Sequence, residues 1–206
     1  MDTEVIVAIA SLVWAFVLLM VQLFVARGGG RKDFSTKEGN PKAAVVYNFT
    51  VAMMPTNKET VRNHPIKFVI GITMHMGAFY SILRVFSLLF FPDMVFVYPY
   101  LLASALTIPV LCGIYLFLRR IFSSNMRSMS CFDDYLAILM TTGFTICAIL
   151  LEISIISPNV FLIAASVLFF YLPIGKLRHV LFFFLARINY GSRLGYRGIY
   201  PASKKD

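Results

Sequence analysis

Long apolar runs alternate with short polar segments along the 206 residues of this chain. A helix needs about 20 apolar residues to cross the ~30 Å hydrocarbon core of a bilayer, and five runs reach that length. They predict helices at residues 5–26, 66–91, 94–118, 135–156 and 160–186. The pattern therefore predicts an all-α integral membrane protein, with five transmembrane helices in a single membrane domain covering residues 1–206.

The amino-acid composition supports a membrane location. The chain is 59% hydrophobic and 14% charged, and its mean hydropathy is +0.77. A soluble domain with this composition would lack the polar residues to cover its surface. Asp2 and Glu4 precede the first apolar run. Because a signal peptide has a basic flank instead, we expect this run to be retained as a helix.

Basic residues mark one side of the membrane. Of the 19 Lys and Arg residues, 18 lie within 27–67, 119–132 and 176–206, and the turns at 92–94 and 157–159 hold none. The positive-inside rule then places the N-terminus outside and the C-terminus in the cytoplasm. A net charge of +9 would suggest nucleic acid in a soluble protein. Here topology explains the charge, so no nucleic-acid partner is expected.

Two polar segments, the loop 27–65 and the tail 187–206, are predicted to be cytoplasmic. Asn40-Pro41 has the form of an N-cap followed by proline at the first helical position, and predicts a short interfacial helix within 43–54. Thr56–Glu59 fits a capping box that would start a second short helix. Proline also predicts kinks within the third and fifth membrane helices, at Pro99, Pro109 and Pro173.

Two Gly-x-x-x-His motifs, Gly71 to His75 and Gly175 to His179, contain two of the three histidines of the chain. Four residues make about one helical turn, so glycine and histidine share a helix face. Bare backbone one turn from an imidazole lets a flat macrocycle approach the helix. We therefore predict one haem b with His75 and His179 as axial ligands of its iron. The alternative is that glycine is simply common in membrane helices.

The predicted topology brings these two histidines to the same depth. His75 lies eight residues after Lys67, and His179 lies eight residues before Arg187. At 1.5 Å per residue, each is about 12 Å from the cytoplasmic end of its helix.

Lys176 and Arg178 lie next to His179 and are candidates to pair with the haem propionates. Alternatively, both side chains extend to the lipid headgroups.

Ionisable residues inside membrane helices are costly and usually have a function. Arg84 lies in the second predicted helix and Glu152 at a similar depth in the fourth. They predict either a structural ion pair or part of a proton path for quinone chemistry.

Weaker candidates for the same path lie near the cytoplasmic side. Asp133, Asp134 and Tyr135 lie at the inner end of the fourth helix. His64 precedes Pro65 at the membrane surface and is either part of the path or an ordinary surface residue. The cysteines Cys112, Cys131 and Cys147 are too widely spaced for an iron–sulfur or zinc site within the chain.

The His75-Met76-Gly77 and Lys176-Leu177-Arg178-His179 stretches, with the five-helix plan, resemble a known family. The chain is similar to the membrane cytochrome b subunits typified by the gamma subunit of respiratory nitrate reductase. It is closest in plan to relatives in sulfite-reductase-linked and heterodisulfide-reductase-like complexes. The likeness covers residues 1–190 in plan, and is one of motif only near the two histidines.

The resemblance implies a respiratory-chain subunit of the prokaryotic cytoplasmic (inner) membrane. Such a subunit carries haem b and transfers electrons between a quinone (menaquinone or ubiquinone) and a cytoplasmic iron–sulfur oxidoreductase partner. Two-haem members carry a second histidine pair, but residues 76–93 and 159–178 contain no histidine. One haem is therefore expected. The partner is expected to bind residues 40–63 and the tail from Tyr190 to Tyr200.

Two other functions are compatible with the same residues. The chain is either a haem-free membrane anchor of a soluble complex or a small transporter with Arg84 and Glu152 in its pathway. The absence of an inverted repeat in the sequence disfavours the transporter. The direction of electron flow is not encoded in these motifs.

Overall fold

The computed structural model describes residues 3–28, 34–92 and 98–201, and within them every regular element is helical. The α-helices, numbered along the chain, are α1 Thr3–Gly28, α2 Pro41–Phe49, α3 Glu59–Asn63, α4 Pro65–Phe90, α5 Pro99–Phe122, α6 Ser124–Ser128, α7 Phe132–Glu152, α8 Pro158–Tyr171 and α9 His179–Tyr196. Short 3-10 turns occupy Val51–Met53, Pro55–Asn57 and Lys176–Arg178. The predicted all-α class is confirmed.

Four helices, α1, α4, α5 and α7, are long and apolar enough to cross a membrane. A fifth crossing exists if α8 and the segment Lys176–Tyr196 count together as one broken span. By the length and composition of its helices, the chain is therefore a multi-pass membrane protein. Helix ends lie within a few residues of the predicted ones, except in the third and fifth helices. The third was predicted from residue 94, and 94–97 lie outside the described residues.

The helix predicted at 160–186 with a kink near Pro173 is interrupted at that proline: α8 ends at Tyr171 and helical structure resumes at Lys176. The position of the irregularity was predicted correctly, but a single kinked helix was wrong. Proline at 173 has no N–H to donate, and its ring clashes with the carbonyl four residues earlier in a continuing helix. The N–H of Gly175 instead donates to the Tyr171 carbonyl at 2.9 Å, which closes the end of α8. His179 then begins a separate helix, α9.

Backbone contacts divide the chain into two compact units. The first contains the described residues within Met1–Leu18 and Ile66–Leu177, and the second those within Leu19–Pro65 and Arg178–Asp206. The first unit therefore holds α4, α5, α7 and α8 with the first part of α1. The second holds α2, α3 and α9. His75 belongs to the first unit and His179 to the second.

The core of the first unit lies among its apolar helices. Phe144 of α7 and Phe161 of α8 stack with their ring centroids 5.2 Å apart. The other buried core side chains are Ala8, Ala15, Val85, Leu106, Ala148, Leu151, Leu162, Ala165, Leu168 and Phe169. Many of these residues are small, which suits membrane helices because close packing rather than the hydrophobic effect holds them together.

Glycine allows two close helix contacts in the first unit. A Cβ at Gly77 would lie 2.5 Å from the Cβ of Pro109, and one at Gly113 would lie 2.2 Å from Thr142 Oγ1. Pro109 is thus inside α5 with its ring against α4. Pro99 is the first residue of α5, where its missing N–H costs no hydrogen bond, so the kink predicted at Pro99 was wrong.

In the second unit, α2 packs closely on α9. A Cβ at Gly191 would lie 2.6 Å from the Cα of Val45, and one at Gly195 would lie 2.3 Å from the Cβ of Ala44. The predicted start of α2 is confirmed: Asn40 Oδ1 accepts the N–H groups of the next turn at 3.0 and 3.2 Å.

The capping box predicted at Thr56–Glu59 was wrong. Thr56 lies inside the 3-10 turn that Pro55 begins, so its side chain is not placed to cap a helix. The helix α3 still begins at Glu59, with Lys58 at its N-cap and no side-chain hydrogen bond there.

Candidate functional site

His75 lies in the middle of α4, and a local hydrogen bond fixes its ring. Its Nδ1 atom is 2.7 Å from the carbonyl oxygen of Gly71. A carbonyl oxygen only accepts, so Nδ1 must carry the hydrogen. The Nε2 atom then bears the lone pair, and a backbone carbonyl on the other ring nitrogen is the usual orienting contact of a metal-bound histidine.

The helix face beside His75 is open within the first unit. A Cβ at Gly71 would meet no atom within 4 Å, and the His75 side chain is exposed. Exposed apolar residues continue this face, namely Ile72, Met76, Phe79 and Leu83. The arrangement predicted for the first Gly-x-x-x-His motif is therefore present: bare backbone lies one turn from an exposed imidazole in an apolar surface.

The second motif has a different geometry. Gly175 is not helical, and a Cβ there would lie 2.2 Å from the ring of Tyr171. The prediction that Gly175 shares a helix face with His179 was therefore wrong, because the break places the glycine under a tyrosine ring. His179 is the exposed first residue of α9, and Arg178 is its N-cap. The depth predicted for His179 was counted along a single membrane helix, and the break before α9 removes the basis for that count.

Lys176 contacts a carboxylate of α7. Its Nζ atom is 2.5 Å from Asp134 Oδ2, and Arg120 Nη1 is 3.0 Å from Asp134 Oδ1. Asp134 also accepts the backbone N–H of Cys131 at 3.0 Å, which caps α7. Two cations and a helix cap therefore converge on Asp134, and the role predicted for Lys176 with haem propionates stays a prediction.

Asp133 binds the end of α8, because the Tyr171 hydroxyl donates to its carboxylate. The contact brings the last residue of α8 to the first turn of α7, so the 14-residue α8 runs back along α7. Tyr135 donates its hydroxyl to the Arg120 carbonyl at 3.3 Å. These residues fasten helix ends together, a role that sequence reasoning missed. The feature of the sequence that could have indicated this role is the pair of acidic residues in the first turn of α7.

Arg84 and Glu152 form the predicted ion pair. Arg84 Nε is 2.8 Å from Glu152 Oε1, and Glu152 is 4% exposed. The Tyr80 hydroxyl donates to the same oxygen at 2.8 Å, and Arg84 Nη1 donates to Ser87 Oγ at 2.8 Å. The sequence analysis missed Tyr80, although it lies four residues before Arg84 and hence on the same face of α4.

His64 belongs to the second unit, where it is the C-cap of α3. It is exposed, and its backbone N–H donates to the Val61 carbonyl at 3.2 Å.

The described residues contain no group of three or more His, Cys, Asp or Glu side chains that could hold a metal ion. Cys112, Cys131 and Cys147 are free thiols. No protein-family model, curated protein or solved structure matches this chain.

Proposed function

We propose that this chain is a haem b membrane-anchor subunit, which passes electrons between quinone and a cytoplasmic iron–sulfur oxidoreductase partner. The observation that carries the proposal is the hydrogen bond between His75 Nδ1 and the Gly71 carbonyl. It selects the tautomer that a haem ligand needs and holds the ring on an open apolar face. The residues around His75 therefore fit a haem group.

His75 and His179 would hold the haem iron, and Arg178 and Lys176 are the proposed partners of its propionates. When bound, haem b supplies a one-electron relay whose potential depends on its axial ligands, hydrogen bonds and burial. The Gly71 carbonyl would fix the tautomer and the orientation of the His75 ring toward the iron. For Arg84 and Glu152 we favour the structural role over the proton path, since Arg84 and Tyr80 both bind one buried carboxylate oxygen.

We expect the purified chain to contain one haem b, since one histidine pair is proposed to ligate it. A reduced-minus-oxidised spectrum gives the haem type, and a pyridine haemochrome assay with protein quantitation gives the stoichiometry. A colourless, fully folded preparation would instead favour the haem-free anchor. Two haems per chain would contradict the ligand assignment and would require His64 or a methionine as a further ligand.

The proposed orientation has the N-terminus outside and the C-terminus in the cytoplasm, in the inner membrane of a prokaryote. The partner would then bind residues 40–63 and Tyr190–Tyr200. The geometry of α2 supports this surface. Its Ala44 and Asn48 are buried, whereas Val46 is 62% exposed. An exposed apolar residue on a short helix is a suitable anchor for a protein contact.

We expect Val46→Glu to reduce co-purification of the iron–sulfur partner by about tenfold, a loss that corresponds to roughly 1.4 kcal/mol. The reason is that a carboxylate would have to be desolvated in the contact. The measurement is a pull-down of tagged chain from detergent-solubilised native membranes, with partner quantified by mass spectrometry. The control is Phe34→Glu, which changes an exposed apolar residue outside both segments. Equal recovery with both variants would argue against this docking surface.

A further inference from the structure

A cleft of about 370 Å³ lies within the second unit, against α2 and α9. Its lining residues are Asn48, Phe183, Ala186, Arg187, Tyr190 and Tyr200. One guanidinium, one carboxamide and two phenol groups thus share an otherwise apolar surface. This composition fits a ligand with one anionic group and an apolar remainder.

Arg187 is held in place by Asn48. Its Nη1 atom donates to Asn48 Oδ1 at 2.8 Å, and Asn48 Nδ2 donates to the Arg187 carbonyl at 2.7 Å. The guanidinium carbon also lies 5.5 Å from the centre of the Phe183 ring. A guanidinium has five N–H donors, and one of them binds Asn48. Asn48 is 3% exposed, so this arrangement is fixed before any ligand arrives.

Lys58 does not line the cleft, but its charge interacts with that of Arg187. Burial lowers the pKa of Lys58, and the positive charge of Arg187 lowers it further. The Nζ atom of Lys58 lies 3.6 Å from the Met53 sulfur, which is a weak acceptor. Neither Lys58 nor Arg187 takes part in an ion pair with a carboxylate among the described residues. An anion bound at Arg187 would therefore also be attracted by the charge of Lys58.

We propose that this cleft binds the phosphate group of an anionic phospholipid, with Arg187 as its cation and Lys58, outside the lining, adding to the positive potential around it. Tyr190 and Tyr200 line the cleft together with Arg187, and tyrosine favours the headgroup level of a membrane. Phe183 and Phe184 are exposed, and they offer an apolar surface to the acyl chains next to the headgroup. Free phosphate has the same anionic chemistry but would gain nothing from these rings. The proposal does not depend on the presence of haem. Asn48, Tyr190 and Tyr200 also lie in the segments proposed to contact the partner, so the lipid would occupy the cleft at the edge of that contact.

The test is native mass spectrometry of the detergent-purified chain titrated with phosphatidylglycerol, and separately with phosphatidylcholine of the same acyl chains. We expect tighter binding of phosphatidylglycerol. Arg187→Gln should weaken it about tenfold, which corresponds to roughly 1.4 kcal/mol and is the scale of one lost hydrogen bond to a charged group. Lys58→Gln, at a residue outside the lining, should weaken it by a smaller factor. Binding of phosphatidylcholine should not change. Lys58 lies outside the α2–α9 contact, so its variant remains informative if Arg187→Gln fails to fold.

Arg62→Gln and Arg193→Gln are the matched controls, because both remove one exposed positive charge from the second unit outside the cleft. They should bind phosphatidylglycerol as the wild type does. Equal weakening by the controls would overturn the proposal, since binding would then follow net charge. A third titration uses inorganic phosphate. The lipid proposal would be wrong if the wild type bound inorganic phosphate and also bound phosphatidylglycerol and phosphatidylcholine equally well. The cleft would then be a site for free phosphate.

Discussion

His75→Ala should abolish the haem b bands in the reduced-minus-oxidised spectrum of the purified chain, so that haem falls from one per chain to none. The expected loss is complete because a haem held by two imidazoles loses half of its iron–protein bonds with one substitution. His179→Ala should have the same effect. The control is His64→Ala, which removes an exposed histidine outside the proposed ligand pair and should leave the spectrum unchanged.

Gly71→Leu separates haem binding from folding. A Cβ at this position would meet no atom within 4 Å, and the leucine would lie on an exposed apolar face, so the variant should fold with unchanged thermal stability. It would nevertheless cover the backbone beside His75 and hinder a macrocycle there. Loss of haem at constant stability is the expected result. A low-spin bis-histidine spectrum in His179→Ala would show instead that His75 pairs with a different ligand.

Glu152→Ala should destabilise the first unit strongly. Removing one member of a buried ion pair leaves an uncompensated charge and typically costs about 3–5 kcal/mol. Here Tyr80 loses its hydrogen-bond acceptor as well. Thermal unfolding in detergent can be followed by tryptophan fluorescence. The chain has a single tryptophan, Trp14, which stacks on Phe170 with ring centroids 5.2 Å apart within the same unit.

The double variant Arg84→Met, Glu152→Met should recover most of that loss, because apolar residues of similar size replace the whole pair. Glu59→Ala, at an exposed carboxylate of α3, is the control and should have little effect. If Glu152→Ala left the unfolding temperature unchanged while electron transfer to quinone was lost, the structural role would be wrong. The proton-path interpretation would then be preferred.

The sequence by itself predicted the four helices that are long and apolar enough to cross a membrane. Hydropathy is a local property, so each run of about 20 apolar residues identifies a helix without reference to its neighbours. Helix starts were also readable where the signal is local, as at Asn40-Pro41, whose cap lies within one turn. Likewise, the spacing of four residues places His75 one helical turn after Gly71, and their hydrogen bond lies entirely within α4.

The interruption of the fifth predicted helix depends on residues that are distant in the sequence. Proline inside a membrane helix is tolerated as a kink when neighbouring groups satisfy the freed backbone. At Pro173 the helix ends instead, and the side chains on either side of the break, Tyr171 and Lys176, bind Asp133 and Asp134 at the start of α7. A sequence pattern does not show that these carboxylates lie opposite the break.

Tertiary structure alone also decided what each glycine and each polar residue does. Gly71 and Gly77 lie six residues apart in α4, yet one faces open space and the other lies against Pro109 of α5. Asn48 and Arg187 are 139 residues apart and hold each other in the second unit. Such roles depend on which helix packs on which face, and hydropathy carries no information about that choice because all faces of a membrane helix are apolar.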